Sequence, residues 1–144
     1  MLRNQLSLSL DLALLALPAV LAEARNLKVR VSVSIVDASG QLIHLAHMDG
    51  APAPSRDIAH DKAWTAAGFG LATSAWEERL ASMPASVRDG LLQRPRLAMF
   101  GGGVPVKVEG AVVGAIGVSG ATAEQDEQCA QAGVDAILAA LNQA

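Results

Sequence analysis

Three consecutive glycines, Gly101, Gly102 and Gly103, run into Val104-Pro105 and then into the string VKVEGAVVGAIGVSG. Successive glycine N–H groups can form a concave nest for a carboxylate or other anion, and a glycine turn can equally just relieve crowding. A Walker loop needs Gly-x4-Gly-Lys-Ser/Thr at the opening of a helix, and nothing in the chain matches it. A dinucleotide fingerprint needs its glycines between a strand and a helix, whereas a strand pattern follows here. The phosphate-loop reading is therefore excluded by context. His60, Lys62 and Thr65 share an Ala-rich helical stretch, IAHDKAWTAAG. A lysine in such a place usually faces solvent; beside an anion nest it can hold a carboxylate. His47 and His60 are the candidate proton-transfer groups.

Other clusters offer less. His44 and His47 are three apart on a strand pattern, so they point to opposite faces and cannot chelate one metal together. The single cysteine, Cys129, rules out an internal disulfide and a Cys-based zinc site, and its helical setting suits a buried small apolar residue. No metal site is expected. Asp126 and Glu127 open a helix, where the dipole accounts for them without catalysis.

The positioning elements follow from periodicity. VRVSVSIVD (29–37) alternates, with Val29, Val31, Val33 and Ile35 on one face and Arg30, Ser32 and Ser34 on the other. DASG (37–40) suits a type I turn into QLIHLAHM (41–48), completing a hairpin. A helix is expected up to about Ala72, capped by Ser55 or Asp57, then a short helix capped by Ser74 with Glu77. PASVRDGLLQRP (84–95) reads as a loop, a lid or subunit contact. RLAMF (96–100), VPVKV (104–108) and AVVGAIGVSG (111–120) read as three strands, with Pro105 at a strand start or edge. The C-terminal helix starts with a Thr122/Gln125 capping box.

The expected architecture is α+β, a single domain over 1–144 with a five-stranded antiparallel sheet flanked by helices. LALLALPAVLAEA (12–24) reads as the first helix, capped near Ser9 and kinked or reset at Pro18, in preference to a secretory signal. No segment has stop-transfer length, so no membrane partner is expected and the cytoplasm is the default location. A net charge of −3 with 17% charged residues and no Lys/Arg cluster excludes the footprint of a nucleic-acid binder. A mean hydropathy of +0.33 points to apolar surface buried between copies, hence a homo-oligomer.

VSIVDASGQLIHLAHMDGA, IAHDKAWTAA and GGGVPVKVEGAVVGAIGVSGATAEQDEQCAQAG, in that order, resemble the GlcG/HbpS-like family of haem-binding or haem-degrading domains. That family also includes the C-terminal domain of PduO-type proteins. The resemblance runs from about residue 6 to the C-terminus. It implies a five-stranded sheet with helices in a profilin-like layer, and oligomers built from dimers, often octamers. It also implies a pocket at His60, Lys62 and Thr65 and near Gly101, Gly102, Gly103 and Val104, with haem as the cofactor it would hold. Where the family usually has Arg before Met-Asp-Gly, this chain has His47 before Met48-Asp49-Gly50.

Two functions follow. One is a haem, tetrapyrrole or small anionic ligand module, with His60 or Thr65 at the axial position and Lys62 and the glycine amides receiving propionates. The other is an isomerase, hydratase or lyase acting on an organic acid or carbonyl compound, with His47 or His60 as acid/base.

Overall fold

The computed structural model describes residues 1–143. In chain order it contains α1 (Leu10–Asn26), β1 (Ser32–Asp37), β2 (Leu42–His47), α2 (Ser55–Phe69), a 3-10 turn (Thr73–Ala75), α3 (Trp76–Ala81), α4 (Ala85–Leu92), β3 (Gly103–Val108), β4 (Ala111–Ser119) and α5 (Ala123–Asn142). The sheet is antiparallel with order β2-β1-β4-β3, so the central strands are β1 and β4.

The two faces of the sheet are covered differently. Val31, Val33, Ile35, Ile116 and Val118 pack with Ala13, Ala16 and Val20 of α1 and Cys129, Val134 and Ile137 of α5. The opposite face presents Val36 and Ala115 to Ala63 and Ala66 of α2. The register confirms the assignment, since Val36 pairs with Ala115 and Ser34 with Gly117 on the α2 side. Gly117 lets α2 lie directly on the strand: a Cβ there would collide with the carbonyl of Ala59 and with Ala63. An Ala-rich helix over a glycine-bearing strand explains how a chain with so few aromatics reaches interior density.

Several expectations need correcting. The sheet has four strands, not five. Arg96–Phe100 does not pair as a strand; the Ala98 N–H instead donates to Thr65 Oγ1 at 3.0 Å, so a side chain of α2 takes the place of a ladder partner. The stretch 84–95 contains α4, which starts on Pro84, whose carbonyl accepts from Val87 and Arg88. Pro18 neither breaks nor resets α1, because the burial of Ala16, Val20 and Ala24 against the core holds the helix through the missing N–H. Both faces of β1 are buried, including Ser32 and Ser34, because α2 covers the face expected to be polar.

Caps divide the same way. Ser9 accepts from the Leu12 N–H and the Thr122/Gln125 box is complete. Neither Ser55 nor Asp57 caps α2, where Pro54 holds the cap position, and α2 ends at Phe69 with Gly70 in the left-handed conformation. Ser74 makes no box with Glu77; its hydroxyl donates to Glu127 Oε1 at 2.5 Å, tying the 3-10 turn to α5. Among the described residues no helix is long and apolar enough to cross a membrane.

Cys129 is fully buried on α5, and burial, with smaller contributions from Asp126 and Glu23, pushes its thiol from an ordinary 9.0 up to about 11. At pH 8 that lowers the thiolate fraction by about 100-fold. Native protein should therefore react with a thiol-specific disulfide reagent at least about 100-fold more slowly than protein unfolded in guanidinium. Comparable rates would show that the α1–α5 layer opens readily.

Candidate ligand-binding site

The glycine turn lies directly over Lys62. From the middle of α2, Lys62 passes under the turn, only 1% exposed, and its ammonium donates to the Val118 carbonyl at 2.9 Å and to Asp126 Oδ2 at 3.1 Å. A Cβ on Gly102 would stand 2.5 Å from Lys62 Nζ, and the φ of +134° at Gly102 is one that side-chain-bearing residues rarely adopt. Asp126 uses its other oxygen to accept from the Ala121 N–H at 2.9 Å. Burial draws the Lys62 amine below its ordinary 10.5, while the charge of Asp126 and its hydrogen bond act against that. Phe100 closes the arrangement, with its ring centroid 5.0 Å from Nζ.

The nest is consequently not an open one. The Gly103 N–H donates to Thr73 Oγ1 at 2.9 Å, and the Gly102 carbonyl accepts from the Val118 N–H. Val104 is buried in β3. Thr65 is also engaged internally: its hydroxyl donates to the Asp61 carbonyl at 2.7 Å and accepts from the Ala98 N–H. Thus Lys62, Gly102, Gly103 and Val104 are brought together, but as a sealed joint, and Thr65 clips the segment leading into the turn. Asp126 was the residue that sequence reasoning assigned to the helix dipole alone. Its Lys62 partner lies 64 positions away, and no local pattern could have signalled it.

The outer side of the turn is open. Met99, Phe100 and Gly101 form one wall of a cleft of about 460 Å³, facing Leu80 and Ala81 of α3. Arg88 of α4 and the carboxylates of Glu77, Glu124 and Glu127 also line it. The Phe100 side of this wall is half exposed, and Arg88 has only an exposed 3.5 Å contact with Asp89. Such a surface pair contributes little and is easily exchanged for a ligand.

The histidines lie elsewhere. His44 pairs with Ile35 and His47 with Ser32, on opposite faces of the sheet. His47 Nδ1 is 2.5 Å from Ser32 Oγ, and Ser32 is fully buried, so that hydroxyl orients the ring and is closed to substrate. His60 is half-buried, with its Nε2 enclosed and without a partner. Next to it, burial raises the carboxyl of Asp61, against the pull of Arg96 and His60. Arg96 stacks on Trp64 at 4.2 Å. Among the described residues no group of three or more His, Cys, Asp or Glu is placed to hold a metal.

A family model described as haem-degrading protein HbpS-like matches residues 8–135. The chain belongs to the HbpS-like family. It is 40% identical over 119 residues, 81% of this chain and 82% of the other, to a 15.0 kDa protein of the dhaT-dhaS intergenic region of Citrobacter freundii. Klebsiella pneumoniae ORFY superposes with a TM-score of 0.88 at 33% identity, covering 96% of this HbpS-like chain and 95% of ORFY. A crystal structure of a PduOC–haem complex superposes with a TM-score of 0.82 at 32% identity, covering 91% and 95%.

The sealed joint is testable. Lys62→Met leaves the Asp126 carboxylate buried without its cation and is expected to lower unfolding stability by about 3–5 kcal/mol. In Lys62→Met/Asp126→Asn the acceptor for Ala121 is kept and the orphaned charge removed, so most of that loss should return. Denaturant unfolding reads both. A single-variant loss below about 1 kcal/mol would show that the pair does not anchor the turn.

Proposed function

We propose that this HbpS-like chain binds haem or a related tetrapyrrole in the cleft between α3–α4 and Met99–Gly101, and that it does so as a homo-oligomer. The observation that carries the proposal is the cleft itself. Its 460 Å³ falls within the roughly 300–1000 Å³ typical of ligand pockets. Leu80, Ala81, Met99 and Phe100 offer apolar surface to a ring, and Arg88 offers a bidentate partner for a propionate. The PduOC–haem complex adds a haem-bound relative of the same fold.

Gly101 lets the wall pack closely on Ala123 and Ser74, since a Cβ there would stand 3.2 Å from the Ala123 carbonyl. Lys62, Gly102, Gly103 and Val104 act from behind, holding that wall in place, and Thr65 fixes its approach through Ala98. When bound, haem supplies an iron centre for ligand binding or redox chemistry. The residues of the chain position the ring and exclude water from its buried face. His60 has an enclosed, unpartnered Nε2; it does not border the cleft, and reaching an iron would require its ring to turn. Exposed Leu10, Leu14, Leu15, Leu42 and Leu45 support assembly with other copies, with a dimer as the building block.

Haemin titration is expected to give a saturable Soret shift. Phe100→Ala and Arg88→Glu should each weaken binding about tenfold, or about 1.4 kcal/mol, without loss of fold. A missing or unsaturable shift would overturn haem binding. A normal shift unaffected by either substitution would overturn its assignment to this cleft.

A further inference from the structure

A second cleft, of about 430 Å³, lies between the last turns of α1 and the end of β2. We propose that it binds a small organic monocarboxylate, with the Arg30 guanidinium as the principal contact. Leu21, Arg25, Arg30, Ala46, Met48 and Asp49 line it. His47 borders it too, but its Nδ1 is engaged with Ser32 on the α2 side of the sheet.

Arg30 is exposed. Its side chain lies against Gly50, which has φ +83°, and a Cβ at Gly50 would run into the guanidinium. Its carbonyl is approached just as closely by Gly120, where a Cβ would stand 2.5 Å away. Two glycines thus make room for one arginine and its main chain. Among the described residues neither Arg30 nor Arg25 has a carboxylate within ion-pair distance. A guanidinium without an ion-pair partner is matched to a carboxylate, which it can engage through two parallel N–H···O bonds.

The rest of the cleft narrows the class. Leu21, Ala46 and Met48 provide an apolar floor for the body of a ligand. That floor is fixed, because the Val31 N–H donates to the Met48 thioether at 3.5 Å and the Met48 N–H donates to the Val31 carbonyl at 3.0 Å. Two arginines set against Asp49 leave one net positive charge. Asp49 repels a second anionic group, so a singly charged acid with an apolar body fits better than a phosphate or a dicarboxylate.

The test follows the Met48 methyl resonance of the whole protein, assigned with Met48→Leu, during titration with butyrate and benzoate, and in parallel with succinate and inorganic phosphate. A saturating shift with butyrate or benzoate, weaker or absent with the dianions, is expected. In Arg30→Gln the affinity should fall at least about tenfold, and Arg30→Lys should recover only part of it, because an ammonium lacks the fork. Arg30 is exposed, so both variants should fold, which circular dichroism checks. No saturable shift with either monocarboxylate, equal or tighter response to phosphate or succinate, or an unchanged affinity in Arg30→Gln would each overturn the proposal.

Discussion

One buried ion pair ties three elements of the fold together. Lys62 leaves α2, donates to the Val118 carbonyl near the end of β4 and ends on Asp126 of α5. It therefore links the helix on one face of the sheet to a helix on the other, through the strand between them. A charge taken out of water is costly unless its partner and hydrogen bonds are complete. Here they are nearly so, since Asp126 also accepts from Ala121 at the start of α5. The glycine turn depends on this pair. A side chain at 102 would displace the ammonium, and one at 103 would press on the carbonyl of Lys62, so the turn can close only as glycine.

The closed turn then has two sides with different duties. Its inner side spends its polar groups on Thr73, Val118 and the space over Lys62. Its outer side leaves Phe100 and Gly101 facing α3 and Ala123. A wall that must be rigid and also admit a flat ligand closely is well served by main chain fixed from behind. Thr65 extends the same support upstream by taking the Ala98 N–H. Of the positions that the resemblance implies as a pocket, Lys62, Thr65, Gly102, Gly103 and Val104 are thus the frame of the wall, and Gly101 lines the cleft.

What was legible in the sequence was whatever is encoded locally. The alternation of Val31, Val33 and Ile35, the hairpin at Asp37–Gly40, the Ser9 cap and the Thr122/Gln125 box all express preferences over a few residues, and all appear in the structure. The misreadings have non-local causes. RLAMF carries strand-like residues, yet its N–H at Ala98 is claimed by Thr65, 33 positions earlier. Ser74 and Glu77 have the spacing of a capping box, yet Glu127 of α5 takes the Ser74 hydroxyl. Ser32 and Ser34 alternate as a solvent face should, but an Ala-rich helix lies over them, leaving the Ser34 hydroxyl enclosed without a partner.

The same distinction separates the two clefts. The one beside the glycine turn is formed by α3, α4 and the turn, and its shape depends on the Lys62 joint. The one at Arg30 is formed where the end of α1 meets the end of β2, and depends on Gly50 and on Met48 bonded to Val31. They share no lining residue, although α5, which borders the first, and α1, which borders the second, pack together in one layer. Loss of the Lys62–Asp126 pair would loosen the first cleft directly, because Gly102 and Phe100 rest on it. Its route to the second runs through Asp126, Ala121 and Gly120, which packs on the Arg30 carbonyl. The two clefts differ in charge as well, the first lined by Arg88 with Glu77, Glu124 and Glu127, the second by Arg25 and Arg30 with Asp49.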